Sequence, residues 1–345
     1  MLDDTQRRLH ARQIRLAEMG EEGQARLLAS TAAVVGMGAL GCASSLLLLR
    51  SGVRHLRLVD RDFVEEGNVA RQILYTPGDA REPTPKVVAA RRELLRVDPD
   101  APIEAHIADV NSATIESLLS GADVILDGLD NFETRYLLND FAVARGIPWI
   151  YAGVVATSAL AFPIVPRRTA CLRCLFPDSP EPGALETCES AGVLTALPAL
   201  VAAVQVAEAV KLLAGGPEKV SSRVLAIDAW EGTYRQGPRS ERRADCPCCG
   251  RAEYPYLSGG ATGQATSLCG RDAVQIQPGP TAIRLDLPAL SRRLPPEARA
   301  RLSEWLLRFE ADGLTFHLFP DGRAIVKGTD DPVRARALYA KFVGC

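Results

Sequence analysis

The stretch VVGMGALGC, Val34–Cys42, with LRLVDRD following at Leu56–Asp62, decides the fold of this chain. A short β-branched run is turned by glycines, enters the helical segment ALGCASSLLLLRSG, stops at Gly52 and resumes as the strand HLRLVD. That order is a βαβ unit. Gly36, Gly38 and Gly41 let the backbone approach a phosphate and aim helix N–H groups at it. The bland alternative is that the glycines serve only helix–strand packing. Asp60, closing the second strand, is placed to accept from ribose hydroxyls, as in dinucleotide binders. To this point a nicotinamide dehydrogenase fits as well as any other nucleotide enzyme.

Outward from that unit the alternation continues. Lys86 to Val97 reads as a helix, IEAHIAD as a strand, DVILDGLD at Asp123–Asp130 as a strand, ETRYLLNDFAVARG as a helix and PWIYAGVV as a further strand. Strands alternating with helices of this length predict an α/β fold, a doubly wound, mostly parallel, Rossmann-like sheet covered on both faces. Residues 7–29 read as helical, interrupted by Gly-Glu-Glu-Gly at Gly20–Gly23. Residues 177–190, rich in Pro, Gly and acid, read as an irregular, mobile loop, and Val193–Ala214 as an apolar helix. Residues 251–265 read as a linker, dividing a domain of residues 1–255 from a small α+β domain of residues 266–345. Within the latter, GLTFHLFPDGRAIVKG reads as a hairpin around Pro320-Asp321-Gly322 and DDPVRARALYAKF as the closing helix.

A chain of 345 residues, 47% hydrophobic and 24% charged, is ample for a packed core and reads as a soluble globular protein. Its formal net charge of -2 supplies no footprint for nucleic acid or an anionic membrane. The N-terminus reads as neither secretory signal nor membrane span, and the most apolar run, Ala196–Val204, is short, contains Pro198 and reads as a buried helix. The expected location is the cytoplasm. Nine cysteines, partly paired two residues apart, suit metal binding in a reducing compartment better than a disulfide framework.

The residues after Asp60 turn the reading away from nicotinamide. The run D-R-D-F-V-E-E-G-N-V-A-R-Q brings Asp62, Asn68, Arg71 and Gln72 to the mouth of the nucleotide site, and Lys86 begins the next helix. An arginine and a lysine converging on one pocket offset the charge of a phosphoryl group in transfer; a solvated loop with a surface salt bridge is the plain alternative. Asp130 closes a strand where an open parallel sheet borders its ligand crevice, and reads equally as a Mg²⁺ ligand or as the cap of the helix that follows. Cys171-x-x-Cys174 and Cys246-x-x-Cys249 are two knuckles whose four thiolates make a closed, structural zinc site, with Cys248 pointing away. Cys188 lies ahead of the long helix, whose N-terminus favours a thiolate while Glu186 and Glu189 oppose one. Cys269 and Cys345 read as bystanders. None of His10, His55, His106 and His317 falls in a predicted site, so acid–base catalysis by histidine has no support.

Taken in order, Arg12-Gln13, the glycines at 36, 38 and 41, Asp60 to Gln72, Lys86, Leu129-Asp130-Asn131 and the paired knuckles resemble the ThiF/MoeB/HesA family, bacterial relatives of the ubiquitin-activating enzymes, over roughly residues 5–250. The resemblance implies a homodimer that uses ATP and Mg²⁺ to adenylylate the C-terminal glycine carboxylate of a ubiquitin-like sulfur carrier, of ThiS or MoaD type, with release of pyrophosphate. It further implies that Asp60 holds the ribose and that Asn68, Arg71 and Lys86 hold the phosphates, Gln72 supporting Arg71. Asp130 would hold the metal, and Arg12 would reach the partner subunit's ATP. Cys188 matches the family's loop cysteine, implicated in sulfur transfer in the ThiF branch and dispensable in the MoeB branch, and a cysteine desulfurase is the sulfur-donating partner such chemistry implies. The tail resembles the C-terminal extension of Bacillus-type ThiF and is too short for a rhodanese domain, which favours the thiamine branch over molybdopterin. The rivals are an NAD-dependent oxidoreductase, which has no use for Arg71, Lys86 and Asp130 together, a tRNA-modifying dehydratase of the same superfamily, and a non-catalytic adaptor.

Overall fold

The computed structural model describes residues 2–179, 190–258, 265–268, 272–277 and 284–343. The chain divides into two compact units, the larger formed by Met1–Pro180 and Ala191–Ala261, the second including Thr262–Cys345.

The larger unit is built on eight strands: β1 (Thr31–Val35), β2 (His55–Asp60), β3 (Ile103–Ile107), β4 (Val124–Asp127), β5 (Trp149–Val155), β6 (Ser158–Ile164), β7 (Arg223–Asp228) and β8 (Thr233–Arg239). Their order is β3-β2-β1-β4-β5-β6-β7-β8. Pairing is parallel from β3 through β5 and antiparallel from β5 to β8. The expected mostly parallel, doubly wound sheet is present, and β6, β7 and β8 extend it as a meander. Along β1, Ala32 and Val34 face one core while Ala33 and Val35 face the other, the double burial that requires apolar residues at every position of a central strand.

The first core packs the helices Gly20–Ala29, Ala39–Ser51, Lys86–Leu95 and Leu197–Gly215 on one face, and the second packs Ile115–Leu119 and Phe132–Arg145 on the other. The helix Leu197–Gly215 is, among the described residues, the one long and apolar enough to cross a membrane. Half of it is buried, with Leu197, Val201, Ala202, Val206 and Ala209 in the core of the unit.

The N-terminal segment departs from expectation. It forms helices Asp4–Leu9, Ala11–Ile14 and Gly20–Ala29, so the break falls at residues 15–19 and the Gly-Glu-Glu-Gly stretch opens a helix. Glu21 and Glu22 in its first turn complement the helix dipole, which is why acids there start a helix rather than interrupt one.

The second unit holds β9 (Ala265–Leu268), β10 (Ala273–Ile276), β11 (Arg301–Leu302), β12 (Leu307–Ala311), β13 (Leu314–Leu318) and β14 (Ala324–Lys327) in the order β11-β12-β13-β14-β10-β9. All pairings are antiparallel, β13 and β14 form the expected hairpin, and the helix Pro332–Phe342 closes the chain against the core of Phe309, Phe316 and Val326.

Candidate functional site

An open parallel sheet borders its ligand crevice at the carboxyl ends of its strands, here those of β1, β2 and β4. Gly36 leaves β1 at φ +89°, a left-handed conformation that glycine adopts without steric cost. A Cβ on Gly36 would stand 2.5 Å from the Gly128 oxygen, and one on Gly41 would stand 1.9 Å from the Gly36 oxygen. Those two glycines are therefore required by close backbone packing. Gly38 differs, since a Cβ there would meet only the Gly128 oxygen, at 3.9 Å. Gly38 also caps the helix Ala39–Ser51 without any side-chain hydrogen bond. No described side chain caps its first-turn N–H groups, which fits a nucleotide phosphate.

Asp60 grips this loop. Its Oδ2 accepts from the Met37 N–H at 2.6 Å and its Oδ1 from the Asp62 N–H at 2.7 Å. Each oxygen keeps a second acceptor position, so a ribose contact remains open. Burial raises the Asp60 pKa, Lys86 opposes that shift and Asp62 adds to it.

Lys86 is held at the mouth because the chain of 62–64 pairs with that of 84–86: Val64 N–H donates to Thr84 at 2.8 Å and Lys86 N–H to Asp62 at 2.9 Å. Its Nζ then lies 3.2 Å from Asp62 Oδ2, with both side chains largely buried. Beside this pair Arg61 Nη1 donates to Asp109 Oδ1 at 2.7 Å. Burial works against the Arg61 charge, but Asp109, Asp62 and Asp130 together raise its pKa above the ordinary value.

Asn68, Arg71 and Gln72 form one turn, in which the Arg71 and Gln72 N–H groups both donate to the Asn68 carbonyl. Asn68 is buried with its Oδ1 accepting from Glu65 N–H at 3.0 Å. The Gln72 Oε1 is buried with no hydrogen-bond partner among the described residues. Arg71 is half-buried and its Nη1 donates to the Gly67 carbonyl at 2.6 Å, so no bond joins it to the Asp62–Lys86 pair.

Asp130 is exposed on the turn after β4. The cap of the helix Phe132–Arg145 is Asn131, whose Oδ1 accepts from Thr134 N–H at 2.9 Å. Asp130 is thereby relieved of the capping role that its position left open. Arg12 is exposed on the helix Ala11–Ile14, and among the described residues no hydrogen bond or ion pair joins it to this group. Cys188 lies outside the described residues, as do Cys269, Cys345 and most of the 177–190 loop.

Spacing alone does not disclose several residues that hold the site. Asp127 and Arg135 form a buried pair, Arg135 Nε donating to Asp127 Oδ2 at 2.9 Å. Arg135 Nη2 donates to the carbonyls of Leu129 at 2.6 Å and Ala152 at 2.9 Å, and Asp127 Oδ1 accepts from Leu129 N–H at 2.8 Å. The turn that carries Asp130 is thus held at both polar groups of Leu129. Gln205, from the helix Leu197–Gly215, donates to the carbonyls of Asp127 at 2.9 Å and Ile150 at 2.7 Å while its Oε1 accepts from Ser44 Oγ at 2.7 Å. It locks the glycine-loop helix to the end of β4 and the start of β5.

The four cysteines of the two knuckles converge, with all four Sγ atoms within 4.8 Å of one another. The nearest pairs stand at 3.8, 3.6 and 3.3 Å. A tetrahedron of sulfurs about 2.3 Å from a central zinc has edges of about 3.8 Å, so the group could hold a metal ion. Cys248 stays outside it, its Sγ accepting from Asn139 Nδ2 at 3.2 Å, while Asn139 Oδ1 accepts from Leu172 N–H at 2.8 Å. Buried Asn139 joins the two knuckles.

Comparison with known proteins adds four findings. The model of the ThiF family matches residues 10–248. The chain is 37% identical over 337 residues to the sulfur carrier protein ThiS adenylyltransferase of Bacillus subtilis, covering 97% of this chain and 99% of that one. It is 39% identical over 249 residues to the SAMP-activating enzyme E1 of Haloferax volcanii, covering 72% and 91%. Among solved structures, E. coli MccB with ATP has a TM-score of 0.58 at 22% identity, over 66% of this chain and 69% of that one, a likeness of fold.

Proposed function

The chain belongs to the ThiF family, and on that membership and the crevice geometry we propose that it is an ATP-dependent adenylyltransferase acting on a ThiS-like, ubiquitin-like sulfur carrier in the cytoplasm, for synthesis of the thiamine thiazole. The observation that carries this reading is the loop at Gly38, without a side-chain cap and joined through Asp60 to the Asp62–Lys86 pair, with the turn bearing Asp130 at the end of the neighbouring strand.

A carboxylate oxygen of the carrier's C-terminal glycine attacks the α-phosphorus of ATP, the bond from that phosphorus to the β-phosphate oxygen breaks, and pyrophosphate leaves. The nucleophile is already an anion, so no residue has to remove a proton, and the chain's task is positioning and charge compensation. The N–H groups after Gly38 cradle phosphate, Asp60 holds the ribose, and Lys86 and Arg71 offset phosphate charge, with Asn68 and Gln72 ordering the Arg71 turn. Arg71 has to turn away from the Gly67 carbonyl to do so. Asp130 would hold Mg²⁺, which would supply neutralisation of phosphate charge. Cys171, Cys174, Cys246 and Cys249 would hold Zn²⁺ as a closed structural site.

Further parts of the proposal are a homodimer in which Arg12 serves the partner subunit's ATP, a cysteine desulfurase as sulfur-donating partner with Cys188 in sulfur transfer, and domain limits at residues 1–255 and 266–345. The test is exchange of labelled pyrophosphate into ATP, run with ThiS-type and MoaD-type carriers and Asp130→Ala as control. Exchange with the ThiS type alone is expected; exchange with the MoaD type alone moves the protein to molybdopterin synthesis, and none with either refutes the activity. Mixing Arg12→Ala with Arg71→Ala subunits should restore part of the exchange, and no recovery refutes the shared site.

A further inference from the structure

We propose that Tyr75 is a positioning residue for the nucleotide site, its hydroxyl fixing the direction in which the Gly38 N–H points; this rests on the nucleotide reading above. Tyr75 is 5% exposed and its Oη donates to the Met37 carbonyl at 2.6 Å. The Cys42 Sγ donates to the same carbonyl at 3.4 Å, so both acceptor positions of that oxygen are used from the protein side. The Met37 N–H is held by Asp60 Oδ2 at 2.6 Å and the Met37 side chain is fully buried.

A trans peptide unit is planar, with its C=O and N–H pointing in opposite directions. The carbonyl of Met37 and the N–H of Gly38 belong to one such unit. Drawing the carbonyl inward onto Tyr75 and Cys42 therefore turns the Gly38 N–H outward. That N–H donates to no described residue, and Gly38 is the glycine of the loop around which a side chain would meet almost nothing. The oriented donor thus belongs to a residue whose own Cβ position is open.

Both donors keep their protons across the working range. Burial drives the Tyr75 pKa well above its ordinary value, and burial pushes the Cys42 thiol up to about 12. Tyr75 also belongs to the turn bearing the proposed phosphate cation, since its own N–H donates to the Gln72 carbonyl at 3.1 Å. One side chain thus ties the Arg71 segment to the glycine loop. Burial of the ring alone would be served by phenylalanine, so the hydroxyl is the part that needs a function.

The test is Tyr75→Phe in the full chain, which keeps the ring packing, with ATP affinity measured by calorimetry and adenosine affinity by NMR titration. Loss of one oriented donor to an anion is expected to weaken ATP about tenfold. Adenosine, which has no phosphate, should bind both proteins equally. Equal ATP affinity in the two proteins overturns the inference, and so does a parallel loss for ATP and adenosine, which marks a general packing role. Wild-type protein that binds no ATP refutes the nucleotide reading itself and takes the inference with it.

Discussion

Replacing Arg135 by methionine keeps most of the side-chain length and removes the charge from a fully enclosed pair. Arg135 makes three hydrogen bonds, to Asp127 at 2.9 Å, Leu129 at 2.6 Å and Ala152 at 2.9 Å, and its guanidinium lies 4.9 Å from the centre of the Tyr151 ring. Removing one member of a buried pair leaves the other charge uncompensated, which costs about 3–5 kcal/mol. At roughly 2–4 °C per kcal/mol for a unit of this size, the midpoint should fall by on the order of 10 °C. The pH dependence has a definite sign. Burial already raises the Asp127 pKa above its ordinary value while Arg135 opposes the shift, and loss of Arg135 raises it further. A carboxyl whose folded pKa is raised stabilises fully below its unfolded pKa, about 4, and that contribution is lost as pH rises through the folded value. The deficit of Arg135→Met relative to wild type should therefore be larger at pH 8 than at pH 5, read by urea unfolding through tryptophan fluorescence, to which buried Trp149 contributes. A variant within about 1 kcal/mol of wild type at both values would refute the argument.

The glycines divide into two kinds by the same measurement. Gly41→Ala forces a Cβ to 1.9 Å from the Gly36 oxygen and should destabilise by about 3 kcal/mol, whereas Gly38→Ala, at φ -75°, should leave the melt unchanged and weaken ATP; the opposite assignment by calorimetry and thermal melting would overturn it. Purified protein should carry one zinc per chain by elemental analysis, and both Cys171→Ser and chelation should lower its melting temperature; protein without stoichiometric metal would count against the site. The guanidinium of Arg54 holds the Asp98 carboxyl below its usual range through a bond at 2.5 Å, so this tie is present above pH 4 and lost as pH falls through the lowered value. Asp98→Asn should cost about 1 kcal/mol at pH 7 and progressively less as pH falls through the lowered value, and a cost that does not change with pH would show that the charge is irrelevant.

The βαβ unit was legible because its signals are local: a β-branched run, a glycine turn and an apolar helix stopped by Gly52. The family resemblance rests on motifs in fixed order and agrees with the family match over residues 10–248. The reading of strands stopped at β5, because β6, β7 and β8 pair antiparallel and lie beyond the alternation that identified the rest. SALAFPI and the pair RVLAID and TYRQGPR carry strand composition, but β8 is largely exposed and so lacks the one-sided apolar pattern that announces a half-buried strand.

The residues that sequence reasoning missed at the site share a physical trait. Tyr75, Arg135 and Gln205 each donate to backbone carbonyls in other elements, Met37 for the first, Leu129 and Ala152 for the second, Asp127 and Ile150 for the third. A motif records side chains that meet a ligand at fixed spacing, and a carbonyl partner leaves no residue type to recognise. Yet a buried polar side chain must find partners, because leaving one unmade costs roughly 1–3 kcal/mol. That gives the missing signal a usable form. Gln205 interrupts the most apolar helix of the chain, and Tyr75 stands where phenylalanine would bury as well, so each polar group in an apolar setting marks a carbonyl to be held. Here the held carbonyls sit at the turn of the glycine loop, on the turn that bears Asp130, at the end of β4 and along β5. The exposed groups proposed for chemistry, Asp130 among them, are thus positioned by buried ones whose own conversation is with the backbone.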